Sequence, residues 1–183
     1  MIVVLDEAEA QADVAGLVLR CPGCSGQLRC WGFARTRSLR SSGGGRVSLR
    51  PRRVRCVLLP ALAPAHRGYV IDVIGQALLA CAFGQSHRTI GTDLGVPADT
   101  VRGWIRRVRA RAEWLRVQGT IAAHNFYPML PAIVPAGSLL ADAVSALGMA
   151  AAAMVRRIGL LAPPWQIIAM IACGQLLAPL RSG

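Results

Sequence analysis

Arg102 and Arg106 stand one helical turn apart, in a stretch where few other side chains are suited to chemistry. Guanidinium groups at that spacing share one face of a helix, and each can bond the O6 and N7 edge of guanine with two parallel hydrogen bonds. Asp99, Ala98 and Gly103 turn to the same side, and Asp99 can accept from the amino group of cytosine. Arg88, Thr89, Arg107 and Arg109 flank this set and are expected to meet phosphate oxygens. The chemistry on offer is hydrogen bonding to a polyanion with readable edges.

A second candidate is Cys21-Pro22-Gly23-Cys24, the spacing of a zinc knuckle, with Pro22 and Gly23 suited to the tight turn that such a site needs. A closed structural site takes four ligands, and no second Cys-x-x-Cys follows. Cys56, with Cys30 and His66, supplies the nearby alternatives, so the expected ligands are Cys21, Cys24 and Cys56 and the zinc site is incomplete. Two thiols in an ordinary turn are the competing reading. Cys81 and Cys173 fall on apolar helix faces and are expected in the core. The nine acidic residues are scattered, and His66, His87 and His124 are isolated. No phosphate-binding loop, dinucleotide fingerprint or nucleophile with its base is present, so no enzyme is expected.

The elements that must hold Arg102 and Arg106 are legible around them. Residues 88–107 carry the pattern of a helix-turn-helix: Ile90, Leu94, Val96, Val101 and Ile105 fall where two crossing helices bury apolar side chains. Gly91 is small where the helices come closest, and Gly95 can take the positive φ of the turn. A helical hairpin inside an unrelated bundle would share the apolar spacing but not the glycines or the outward arginines. An earlier helix is expected from about Tyr69 to Phe83, ending at Gly84, with Val70, Ile74, Leu78 and Cys81 on one stripe, and Ser86 is placed to cap the next. The helix that carries Arg102 is expected to run on through Arg111 towards Leu115, because Val108, Ala112 and Leu115 extend its stripe.

Charge is distributed unevenly. The 183 residues carry a net charge of +12 with every base an arginine, a bias that fits a GC-rich coding sequence. Residues 1–19 hold four acids and no base, whereas residues 20–67 hold eleven arginines and no acid. A segment this basic calls for a polyanion or a solvated loop. Its arginines between 29 and 55, Arg52 and Arg53 among them, have no apolar period to orient them and are expected to contact phosphate.

Outside this region the acidic lead predicts a short strand or helix. Leu28, Trp31 and Phe33 alternate as in short hairpins, and residues 41–45 read as a loop. Pro128, Pro131 and Pro135 mark an irregular connection. Ser138 then caps a helical region in which Leu140, Val144, Leu147, Ala151, Met154 and Ile158 form a heptad seam, and a last helix is expected from Trp165 to about Leu177. This tail reads as a helical hairpin that packs on the domain or pairs two protomers. Residues 139–155 raise the question of a membrane, against which Asp142, Gln166 and Gln175 argue. The uneven cysteines and a start without a basic n-region point to the cytoplasm. Three regions result: an acidic lead with a basic zinc-ribbon-like segment (1–66), a helix-turn-helix domain (67–118), and a connection with an Ala-rich helical tail (119–183).

Taken together, Cys21-Pro22-Gly23-Cys24, Trp31-Gly32, Arg52-Arg53-Val54-Arg55-Cys56, Val57-Leu58-Leu59-Pro60, the motif from Arg88 to Arg107 and the tail from Leu140 to Met154 resemble a helix-turn-helix and zinc-ribbon family of GC-rich bacteria. That family is related to the DNA-binding parts of insertion-sequence transposases. Its pattern has a second Cys-x-x-Cys followed by Thr-His before the Leu-Leu-Pro; here Cys56 runs straight into Val57, so half of the implied ribbon is missing. The three carboxylates of a DNA-cutting transposase are also missing. The expectation is a mainly α protein, a three-helix homeodomain-like core with a degenerate zinc-ribbon-like β segment and a C-terminal helical hairpin. It would bind DNA sequence-specifically, as a regulator of or accessory to a mobile element. The alternatives are a protein-interaction module built on the tail, with homodimers as one form, and a membrane-attached protein.

Overall fold

Helix α2 (Ile71–Ala82) is apolar on almost every side, and Ile71, Val73, Ile74, Gly75, Ala77 and Leu78 are all buried, so other elements must surround it. A computed structural model describes residues 2–16, 18–21, 25–28, 37–41, 45–49, 58–62 and 68–178. Among these residues the protein is mainly helical. Strand β1 (Ile2–Val4) and helix α1 (Glu7–Ala15) come first, followed by strands β2 (Arg37–Arg40), β3 (Arg46–Leu49) and β4 (Leu58–Pro60). After α2 come α3 (His87–Leu94), α4 (Ala98–Arg109), α5 (Ala112–Phe126), α6 (Leu139–Ile158) and α7 (Pro164–Ile171). Strand β1 pairs in parallel with β4, and β2 pairs antiparallel with β3, Arg40 lying opposite Arg46. Asp6 caps α1 by accepting from the backbone N–H groups of Ala8 and Glu9 at 2.7 and 2.9 Å.

The local signals around α3 and α4 are satisfied one by one. The Ser86 hydroxyl accepts from the Thr89 backbone N–H at 3.2 Å and caps α3. Gly95 ends that helix at φ 62°, a left-handed conformation that costs glycine nothing. A Cβ at Gly91 would lie 2.7 Å from the Val96 carbonyl oxygen, so only glycine lets the two helices meet there. In α4, Val101, Trp104, Ile105 and Val108 are buried at steps of three, one and three, one stripe of the helix.

Helix α4 does not continue to Leu115. It ends at Arg109, and α5 starts at Ala112 behind a corner at Arg111 (φ −119°, ψ 6°). Val108, Ala112 and Leu115 are buried as their spacing requires, but a shared stripe does not fix the direction of the axis. Interactions at Arg111 fix the corner: its guanidinium lies 4.5 Å from the centre of the Trp114 ring, and its Nη2 donates to Gln175 Oε1 at 3.1 Å. Helix α5 crosses residues 118 and 119, so the boundary expected there falls inside a helix.

The tail also departs from the expected hairpin. Helix α6, capped by Ser138 and closed by Gly159 at φ 66°, lies along α5. The two run in the same direction. Arg116 and Thr120 border one cleft with Asp142, Gly119 meets the backbone of Ala146, and Arg156 sits 5.9 Å from the Tyr127 ring centre. Parallel neighbours need a connection that returns along the full helix, roughly 22 Å for the fifteen residues of α5. The proline-rich stretch from Tyr127 to Ser138 does this. Of the heptad seam, Leu140, Val144, Leu147 and Ala151 are buried within the chain itself and Met154 is half-buried, whereas Ile158, at the end of the helix, is exposed. Helix α6 is long and apolar enough to cross a membrane, yet nine of its residues are buried here. Helix α7 stops at Ile171, short of Leu177, and its Trp165 ring fills the space over Gly75 of α2.

Candidate nucleic-acid interface

With Val101, Trp104, Ile105 and Val108 committed to the core, α4 must present Asp99, Arg102, Arg106 and Arg109 to solvent, and all four are exposed. Ala98 and Gly103 are half-buried on its flanks. The exposed ridge stands between two open clefts of about 390 Å³ each. Gln85, Ser86 and His87 face Arg102, Arg106 and Arg109 across the first. Gly68 and Tyr69 face Asp99, Gly103 and Arg107 across the second. Arg106 lines both.

The side chains on this ridge differ in their freedom. Arg102 Nη2 lies 3.1 Å from Asp99 Oδ1, an exposed ion pair. Arg107 curls back, donating from Nη1 to the Gly103 carbonyl at 3.0 Å. Arg109 Nη2 contacts Cys81 Sγ at 3.7 Å, which ties it to α2. No such contact holds Arg106 among the described residues. On α3, Arg88 and Thr89 are exposed, and the Thr89 hydroxyl lies 2.9 Å from that of Ser86 inside the helix cap. Arginines in the last turn of α4 also complement its dipole, a stabilising effect in any helix.

Trp104 and Tyr69 form a contact outside the expected set. The Trp104 ring is 3% exposed and meets Tyr69 edge-on, with ring centres 5.2 Å apart at 78°. Trp104 was legible, because it falls on the stripe of Val101 and Val108. The contact with Tyr69 was not, since nothing local pairs residues so far apart.

The Cys21 N–H donates to the Gly26 carbonyl, and the Ser25 N–H donates to the Cys21 carbonyl. Cys24, Cys56, Arg52 and Arg53 lie outside the described residues. Among the described residues, no three His, Cys, Asp or Glu side chains converge on a point that would suit a metal ion. On α5, Arg116 holds Glu113 below the usual carboxylate range through bonds of 2.6 and 2.9 Å.

No family model, curated protein or solved structure matches the chain.

Proposed function

We propose that this is a sequence-specific DNA-binding protein of the helix-turn-helix type, with α2, α3 and α4 as its three-helix core and α4 as the recognition helix. It acts without catalysis, as a regulator of or accessory to a transposase-type mobile element in the bacterial cytoplasm. The observation that carries the reading is the ridge of α4: Arg102 and Arg106 exposed one turn apart, between two clefts, on a helix whose opposite face is locked in the core. A helix standing proud of its neighbours can enter a major groove. Arg102 and Arg106 read base edges, Asp99 accepts from cytosine, and Arg88, Thr89, Arg107 and Arg109 contact phosphate. Zinc, where bound, is held by Cys21, Cys24 and Cys56 as an incomplete set.

Selection of bound sequences from a random pool, followed by mobility shift in low salt, tests this. Arg106→Ala is expected to relax base preference and cost about 1–3 kcal/mol on the preferred site. A wild-type protein that binds no DNA in low salt overturns the reading, as does an Arg106→Ala variant with unchanged affinity and preference.

A further inference from the structure

Within the basic segment, the described β2–β3 hairpin has a defined orientation. Leu39, fully buried, is the anchor that docks β2 into the main core. Its neighbours Ser38 and Arg40 therefore stand on the exposed face of the hairpin, as the period-two alternation of a strand requires. Two backbone bonds fix β2 to the entry of α2: Arg40 N–H donates to the Gly68 carbonyl at 2.8 Å, and Val70 N–H donates to the Arg40 carbonyl at 3.0 Å. The Arg40 side chain lies over the Tyr69 ring, 5.7 Å from its centre, with Nη1 3.4 Å from the hydroxyl. Tyr69 in turn abuts Trp104 of α4 and lines the cleft that Arg106 and Arg107 border. The hairpin is thus held beside the ridge of α4 by a continuous set of contacts.

Arg40 and Arg46 are direct cross-strand partners, both exposed, and neither joins an ion pair among the described residues. Like charges directly opposite each other weaken a strand pair unless an anion lies between or over them. We infer that the β2–β3 hairpin is a wing that grips the DNA backbone beside the groove entered by α4, with Arg40 and Arg46 on successive phosphates. The inference rests on the proposed reading of α4. It adds a second, sequence-independent contact that sets the register of the recognition helix on the duplex.

The test compares wild type, Arg40→Gln/Arg46→Gln and Arg106→Ala on the selected site and on random duplex, with folding checked by circular dichroism. The double variant is expected to lower affinity for both duplexes by about tenfold or more and to reduce the salt slope by roughly 1.8, two phosphates' worth. Its hydroxyl-radical footprint should lose protection on one flank and keep the centre. Tyr69→Phe, which removes only the hydroxyl beside Arg40, should give a smaller loss of the same kind. If Arg106→Ala loses base preference while the double variant keeps wild-type affinity, slope and footprint, the wing is wrong and the recognition helix stands. If wild type binds neither duplex, the reading of α4 falls and the wing falls with it.

Discussion

Asp99 and Arg102 face each other across one turn of α4 at 3.1 Å, with 86% and 68% of their side chains open to solvent. An ion pair this exposed contributes at most about 1 kcal/mol, so it yields readily to a stronger partner. In the free protein it holds the Arg102 guanidinium against the helix. Under the proposed function, a guanine edge would offer Arg102 two acceptors at once, and the pair would open.

Asp99→Ala should therefore separate two effects. Under the proposed function, it removes a negative charge from the side of α4 that faces DNA, so affinity for random duplex should rise a few-fold, while discrimination at the base pair that Asp99 reads relaxes. Thermal unfolding should move little, by about 1 kcal/mol or less, since only an exposed pair and one first-turn acid are lost. A fall in affinity for every sequence, measured by titration at fixed salt, would show that Asp99 is not repelling the backbone.

Two glycines in the α5–α6 pair should respond in opposite senses to the same change. A Cβ at Gly119 would lie 2.8 Å from the backbone carbon of Ala146 and nitrogen of Leu147, neither of which can move aside. Gly119→Ala is expected to destabilise by about 1–3 kcal/mol as the two helices are pushed apart. Gly148, on the exposed side of α6, has nothing within 4 Å of such a Cβ. Gly148→Ala should stabilise by about 0.5–1 kcal/mol through helix propensity alone. Denaturant unfolding of the two variants decides whether α5 and α6 pack as described.

Asp72, in the first turn of α2, is held above the usual carboxylate range. Partial burial is the main cause, opposed by a side-chain hydrogen bond with Gln166 of α7 and a backbone bond of its own. A carboxyl whose folded-state pKa is raised contributes stability below the unfolded value of about 3.9, and that contribution is lost as pH rises through the folded-state value. Asp72→Asn carries no such loss. Its stability relative to wild type should therefore increase from about pH 3 to neutrality, followed as the unfolding midpoint across that range. A constant difference would mean that Asp72 titrates normally.

The sequence by itself determined the elements whose signals are local. Ser86, Gly91 and Gly95 specify the α3–α4 turn, because a cap, a close approach and a left-handed residue each demand a particular side chain at a particular position. Ser138 and Gly159 bracket α6 in the same way. The outward set Asp99, Arg102 and Arg106 follows from the apolar stripe of α4, since whatever shares a helix with Val101, Ile105 and Val108 on the other face must meet solvent.

Tertiary structure alone decided the rest. The stripe running through Val108, Ala112 and Leu115 records burial and is blind to the corner at Arg111, which Trp114 and Gln175 hold from outside the stripe. The heptad seam of α6 states that Leu140, Val144 and Leu147 need apolar partners but not which ones. A parallel neighbour within the chain satisfies it as well as a second protomer would. Arg40 and Arg46 looked like two charges in an unoriented basic run. Burial of Leu39 and the bridge to Tyr69 gave them a face and a place beside α4, and both depend on contacts between residues far apart in the chain, which no local pattern encodes.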